Sequence, residues 1–339
     1  MKSTESTTDA PERAFVPGSN PAATQSHALS SRVLEEHRGP LLGLCYRMLG
    51  CMGDAEDAVQ ETMLRAWRAS DSFAGRSSVR TWLFRIGTRV CLDQLGRRRR
   101  LPMQVRSAGT VHDELDFRPA DTWLEPMADV WARPDADPEQ TLVRAEGVSL
   151  AWAAALQQLT PMQRACLVLA DVVDLSAADI ASALECSVAS VTSALQRARR
   201  ATRSLREQEL QADPERADNR AAIEAFAEAF GRYDLEALRR LLREDTTMCM
   251  PPLALWLRGR DAVVDWMNGR GAGCRGSKIV PTHANGRPAW AQYRPPAGAQ
   301  FVAWAVVVPV AHDGVVDELH FFLEVGRLFP RFGLPLAIF

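Results

Sequence analysis

The 339-residue chain lacks the residue arrangements of a metalloprotein or a disulfide scaffold. Its seven cysteines, Cys45, Cys51, Cys91, Cys166, Cys186, Cys249 and Cys274, form no CxxC pair and lie far from clustered histidines. No metal, cofactor or disulfide framework is expected; scattered thiols in a reducing cytoplasm fit better. No run is long and apolar enough to span a membrane. The N-terminal stretch MKSTESTTDAPERAFVPGSNPAATQ has no apolar core segment, which excludes a signal peptide and leaves a polar, disordered tail over residues 1–30. A net charge of −2 excludes a uniformly basic coat.

What is present is local asymmetry. Almost half the residues, 47%, are apolar, enough for real cores, and the length suggests two or three domains. Residues 31–106 are helical in pattern and basic: from Arg32 to Arg106 there are 14 Arg against 8 Asp and Glu, a net of +6. Residues 107–146 carry 10 acids against 3 Arg, a net of −7, and hold Pro119, Pro126, Pro134 and Pro138. They read as an extended linker. Within it TWLEPMADVW is too apolar for a plain spacer and should dock on either polymerase or the last domain. Residues 147–208 are helical and end basic, QADPERADN is a hinge, and residues 219–330 alternate helices with strand-like runs.

GDAEDAVQETMLRAW predicts an amphipathic helix, with Asp54 as its N-cap and Ala58, Met63, Leu64 and Trp67 on or near the inward stripe. Its acidic start is also ordinary dipole-friendly capping. FAGRSSVRTWLFRIGTRVCLDQLGRRRR predicts a loop and then a helix buried through Val79, Trp82, Leu83, Ile86, Val90 and Leu95. Arg80, Arg85 and Arg89 can project together, and Arg97 to Arg100 form a basic run. Arginine at helical spacing beside aromatics suits phosphate contact and base stacking; a solvated basic face is the plainer reading.

LSAADIASALECSVASVTSALQRARRA predicts two short helices joined by a tight turn. Ser176 and Ser187 are candidate caps. Val188, Val191 and Leu195 should face inward, leaving Ala189, Ser190, Thr192, Ser193 and Gln196 free to enter a major groove. Arg197, Arg199, Arg200, Arg203 and Arg206 follow, suited to phosphates. A generic helical hairpin with an arginine-rich end is the plainer alternative.

These three motifs, in this order over residues 31–207, resemble the extracytoplasmic-function (ECF) sigma factors of the sigma-70 family. The resemblance implies a non-catalytic promoter-recognition subunit of bacterial RNA polymerase, with core polymerase and promoter DNA as partners. It implies a sigma-2 domain over 31–106 and a sigma-4 helix-turn-helix domain over 147–208. Asp54, Glu56, Asp57, Gln60, Glu61, Leu64 and Trp67 match the helix that docks on the polymerase clamp. Phe73, Arg76, Ser77 and Ser78 match the loop that holds a flipped −10 base, and Arg80, Trp82, Arg85 and Arg89 the adjoining −10 helix. Unstacking that base costs about a few kcal/mol, which pocket and phosphate contacts offset. Ser187, Ala189, Ser190, Thr192, Ser193, Gln196, Arg197, Arg199 and Arg200 match the −35 recognition helix. Relatives often carry basic residues where this chain has Thr192 and Ala194, so base contact there should be weaker or differently specific. The acidic linker suits a segment threading the polymerase's nucleic-acid channel.

NRAAIEAFAEAFGRYDLEALRRLL predicts two amphipathic helices, with Asp234 capping the second. GRDAVVDWM predicts another, and KIVPTHAN, AWAQYR, FVAWAVVVPV and VVDELHFFLEV read as strands. This order, over 219–330, resembles the SnoaL-like α+β cone. The expected fold is thus multidomain, two all-α sigma domains and a C-terminal cone. Some cones use Asp and His as acid–base groups. Asp317 and His320 fall on opposite faces of a regular strand unless a bulge intervenes. His283 and His312 lie near turns. GRGAGCRG contains a GxGxxG string but follows a helix, so it is a loop and not a dinucleotide site.

Three functions are compatible with these features. The first is an ECF sigma factor regulated in cis by its cone, with a small ligand in the cone's pocket or a separate anti-sigma factor as further regulators. The second is a cyclase- or isomerase-type enzyme carrying a DNA-binding domain. The third is a stand-alone DNA-binding regulator.

Overall fold

The computed structural model describes residues 31–73, 75, 77–97, 115–117, 123–129, 149–211, 216–295, 298 and 300–339. The N-terminal tail, Arg76, the basic run beyond Arg97 and most of the acidic linker lie outside the described residues.

The first helical unit comprises α1 (Ser31–Glu36), α2 (Arg38–Leu49), α3 (Met52–Arg68) and α4 (Val79–Arg97). The α2 helix is buried nearly throughout, including Leu41, Tyr46, Met48 and Leu49. Gly87 lets α4 approach it closely, because a Cβ there would stand 2.7 Å from the Leu41 side chain. The α2 helix ends at Gly50 in the left-handed conformation, φ 71°, which favours glycine. The cap of α3 is Cys51, three residues earlier than expected; Asp54 sits inside the first turn and is buried. The buried stripe of α3 is Ala55, Ala58, Val59, Thr62 and Ala66. Leu64 and Trp67, expected inward, are 44% and 63% exposed. The small residues allow tight helix packing, and the two large ones are left outside it.

The second helical unit comprises α5 (Leu150–Gln158), α6 (Pro161–Asp171), α7 (Ala177–Leu184) and α8 (Val188–Gln211). Thr160 and Gln163 form a capping box before Pro161. Ser176 caps α7 by accepting from the Asp179 amide, and Glu185 turns the chain in the left-handed region, φ 53°. Ser187 then caps α8 through the Ser190 amide at 3.1 Å. The inward stripe of α8 is Val191, Ala194, Ala198 and Thr202. Val188, expected inside, is 48% exposed, and Ala194, expected on the reading face, is buried. Packing against α6 and α7 selects the small residue for the inner face.

The C-terminal unit is the α+β cone. Helices α9 (Ala217–Arg232), α10 (Leu235–Leu241) and α11 (Arg260–Asn268) cover one face of a seven-stranded sheet. Its strands are β1 (Leu242–Cys249), β2 (Trp256–Arg258), β3 (Lys278–Ala284), β4 (Arg287–Arg294), β5 (Phe301–His312), β6 (Val315–Phe322) and β7 (Ala337–Ile338). The order is β2-β1-β6-β5-β4-β3, with β7 on β5; β1 and β6 run parallel and the other pairs antiparallel. Asp234 caps α10. A last helix, α12 (Val325–Arg331), and β7 carry the unit past residue 330. The sheet's alternation sorts its residues: Trp290, Val307 and Phe321 pack under α9, while Ala289, Val306, Val308 and Phe322 join the opposite apolar layer with Phe329 of α12.

That opposite layer is one continuous core. It joins Leu41 and Met48 of the first unit, Leu124 and Met127 of the linker, Leu156 and Leu167 of the second unit, and Val306 and Phe329 of the cone. The WLEP segment docks on two bodies at once. The Glu125 amide donates to the Gly50 carbonyl, and Met127 exchanges backbone and side-chain bonds with Asn285 in the β3–β4 turn.

Candidate polymerase and promoter interfaces

Helix α3 presents Asp57, Gln60, Leu64 and Trp67 outward at spacings of three, four and three, one exposed face of a helix. This face carries two large apolar side chains beside polar ones. Glu61 pairs with Arg65 at 2.7 Å. Glu56 is taken within the chain: its carboxylate accepts from Arg331 of α12 at 2.9 and 3.3 Å.

In the loop–helix region, Phe73 stands 5.0 Å from Trp82, ring to ring. Ser78 caps α4 by accepting from the Thr81 amide at 3.1 Å, with Ser77 half-buried beside it. The Arg80 guanidinium lies over the Phe84 ring at 5.4 Å. Further along α4, Arg85 lies 3.8 Å from Asp179. Arg89 donates to the Ala183 carbonyl at 3.1 Å and to Glu185 at 2.6 Å. Both acids belong to the helix pair of the second unit, so two arginines suited to phosphates are engaged by that unit.

On α8, Ala189, Ser190, Thr192, Gln196, Arg197 and Arg200 are exposed and Ser193 is half-buried. Thr192 returns its hydroxyl to the Val188 carbonyl at 3.0 Å, and Arg197 donates to Ser193 at 2.8 Å. Arg199 is tied to Asp171 at 2.7 Å. The outward face of α8 is therefore small and neutral, with arginine at its far end. Ala194 takes no part in it.

Residues 33–101 match the family Sigma-70 region 2, and residues 149–201 match Sigma-70, region 4. The chain is 39% identical to the ECF RNA polymerase sigma factor SigG of Mycobacterium tuberculosis over 308 residues, 89% of this chain and 82% of that protein. This chain belongs to the ECF sigma factors. It is also 31% identical to SigJ of the same organism, over 69% of this chain and 71% of the relative. The crystal structure of Mycobacterium tuberculosis SigJ superposes with a TM-score of 0.60 at 24% identity, covering 91% of this chain and all of that one. The sigma factor thus has helical regions 2 and 4 followed by an α+β cone, and its partners are core RNA polymerase and promoter DNA. Among the described residues no helix is long and apolar enough to cross a membrane.

Several residues that shape these surfaces escaped sequence reasoning. Glu125 of the linker is 5% exposed. Its carboxylate accepts from the Met52 amide at 3.1 Å and pairs with Arg327 at 2.9 Å, with Arg331 at 3.9 Å. Cys51, 3.3 Å away, is driven up to about 12 by burial and by this negative charge. The Tyr46 hydroxyl donates to the Glu125 carbonyl at 2.7 Å and accepts from Asn285 at 3.0 Å. The one available signal was WLEP itself, an acid flanked by apolar residues. Its partners lie up to 206 residues further on, at Arg331.

The acid–base pair considered for the cone is not assembled. The β5–β6 register slips between Val310 and Ala311, and Asp317 falls at that bulge. It pairs with His312 at 2.7 Å and Arg243 at 2.8 Å. His320 turns to Cys249 and Glu318.

Proposed function

We propose that the cone regulates this sigma factor in cis by holding it in a closed arrangement. The carrying observation is Arg331 on Glu56: the last helix of the cone engages a side chain assigned to the polymerase clamp. In the same arrangement Arg85 and Arg89, assigned to the −10 element, are engaged by Asp179 and Glu185 of region 4. The remaining assignments are carried over as roles: Asp54, Asp57, Gln60, Glu61, Leu64 and Trp67 for the clamp; Phe73, Arg76, Ser77, Ser78, Arg80 and Trp82 for the −10 element. Ser187, Ala189, Ser190, Thr192, Ser193, Gln196, Arg197, Arg199 and Arg200 serve the −35 element. Core polymerase opens the arrangement by competing for α3. A small ligand or an anti-sigma partner would bias the same equilibrium only by binding one arrangement better than the other.

Exposed ion pairs contribute about 0–1 kcal/mol each, so Arg85 and Arg89 are easily surrendered to phosphates. Most of the closure energy then resides in the shared apolar core and the Glu125 joint. The protein works as a cytoplasmic transcription subunit without catalysis of its own. Reconstituted transcription with core polymerase tests this: removal of residues 210–339 should change promoter output severalfold. Unchanged output and unchanged polymerase affinity would sink the regulatory reading.

A further inference from the structure

Neither the promoter contacts nor the closed arrangement uses one polar cluster in the cone. Cys249 ends β1, and His320 lies beside it on the parallel strand β6 in direct register. The Cys249 sulfur is 3.1 Å from His320 Nδ1. The other ring nitrogen, Nε2, is 3.0 Å from Glu318 Oε2. A nucleophile, a base and a carboxylate that orients the base are therefore in line, each within hydrogen-bond reach of the next. The row across the sheet is Trp256, Cys249, His320 and Val308, on the face turned toward the linker. Trp123 of the linker sits 6.3 Å from Trp256, ring to ring.

We infer that Cys249 is a reactive thiol, activated by His320, that is oxidised by small hydroperoxides. Burial alone would lower the imidazole's affinity for its proton. The neighbouring Cys249 and Glu318 outweigh it and push His320 up to about 10. The ring nitrogen facing the sulfur at 3.1 Å is placed to exchange a proton with it, which is how a histidine activates a thiol nucleophile. The cysteine is 2% exposed, so only a small reagent reaches the sulfur. Glu318, with a side chain 38% exposed, connects the line to solvent.

The step balances without another reactant. The thiolate attacks the terminal oxygen of the hydroperoxide; an S–O bond forms and the O–O bond breaks. Sulfur gives up two electrons and becomes a sulfenic acid. The departing alkoxide, or hydroxide from hydrogen peroxide, takes the proton from the His320 imidazolium and leaves as alcohol or water.

Exposure and activation rank the cysteines in opposite orders. Cys186 and Cys274 are half-buried and more accessible, whereas Cys45, Cys51, Cys91, Cys166 and Cys249 are buried. The test treats the reduced full-length chain at pH 7 with hydrogen peroxide, removes the oxidant, unfolds the chain in denaturant containing dimedone so that a buried sulfenic acid is trapped as well as an exposed one, and follows each cysteine by mass spectrometry. An unactivated thiol is only a few per cent thiolate at pH 7. Cys249 should therefore label first, about tenfold faster than Cys186 or Cys274. His320→Asn should bring it down to their range or below. Labelling of Cys186 or Cys274 ahead of Cys249 in the unaltered chain would overturn the inference, and that ranking needs no variant to fold. An unchanged Cys249 rate in a folded His320→Asn protein would overturn it as well.

Discussion

Region 2 meets the rest of the molecule through two contacts of different character. Against region 4, the polar part is Arg85 and Arg89 reaching exposed carboxylates on a helix and its turn, together with the buried Arg164, which donates to the Met48 carbonyl. Against the linker and cone, it is a buried carboxylate, a buried tyrosine and a buried asparagine locked to one another. A surface ion pair costs little to exchange for a phosphate. A buried charge stripped of its partner is costly, about 3–5 kcal/mol. The difference suggests an order of release: the exposed Arg85 and Arg89 pairs yield first, and the buried contacts hold longer.

The largest effect should come from breaking the Glu125 joint. Arg327→Glu with Arg331→Glu places two acids beside a buried carboxylate. The cone should detach from region 2, seen as faster proteolysis within residues 115–129 and a larger radius in X-ray scattering. A compact, protease-resistant double variant would remove Glu125 from the account. Next is Tyr46→Phe, which removes one hydrogen bond from the buried Asn285 amide and one donor to the Glu125 carbonyl. Unfolding in urea should show a loss of about 1–3 kcal/mol. Arg89→Ala should be smaller still in stability, under about 1 kcal/mol, yet it should lower promoter opening in reconstituted transcription. A variant that transcribes normally would separate Arg89 from the −10 element.

The smallest effect is the pH dependence within the cone. The ring of His320 holds its proton more tightly folded than free, to about 10 against an ordinary 6.5. Its contribution to stability is therefore complete below about 6.5 and is lost as the pH rises through 10. Urea midpoints between pH 6 and 10 should fall less steeply in His320→Asn than in the unaltered chain.

Local features were legible because local chemistry sets them. Ser176, Ser187 and Asp234 cap the helices expected of them, and the strands of the cone fall where alternating apolar runs stop at Gly and Pro. The recognition helix was displaced by a rotation: Val188 went out and Ala194 went in. Periodicity alone could not choose between two overlapping stripes, and contact with α6 and α7 did. On α3 the same ambiguity put Leu64 and Trp67 inside. The exposed pair is what the proposed clamp contact would bury. WLEP was expected to dock on polymerase or the cone, and it does meet the cone; its attachment to region 2 was not foreseen.

The sequence by itself determined the family, the order of the helical regions and cone, and the residue types offered to polymerase and DNA. Those follow from short-range patterns whose spacing survives any arrangement of the domains. Tertiary structure decided which of those side chains are already engaged. It set Arg331 on Glu56, Glu185 on Arg89, and His320 between Cys249 and Glu318. His320 to Cys249 spans 71 residues and Arg331 to Glu56 spans 275, separations that only a folded sheet and a shared core can close.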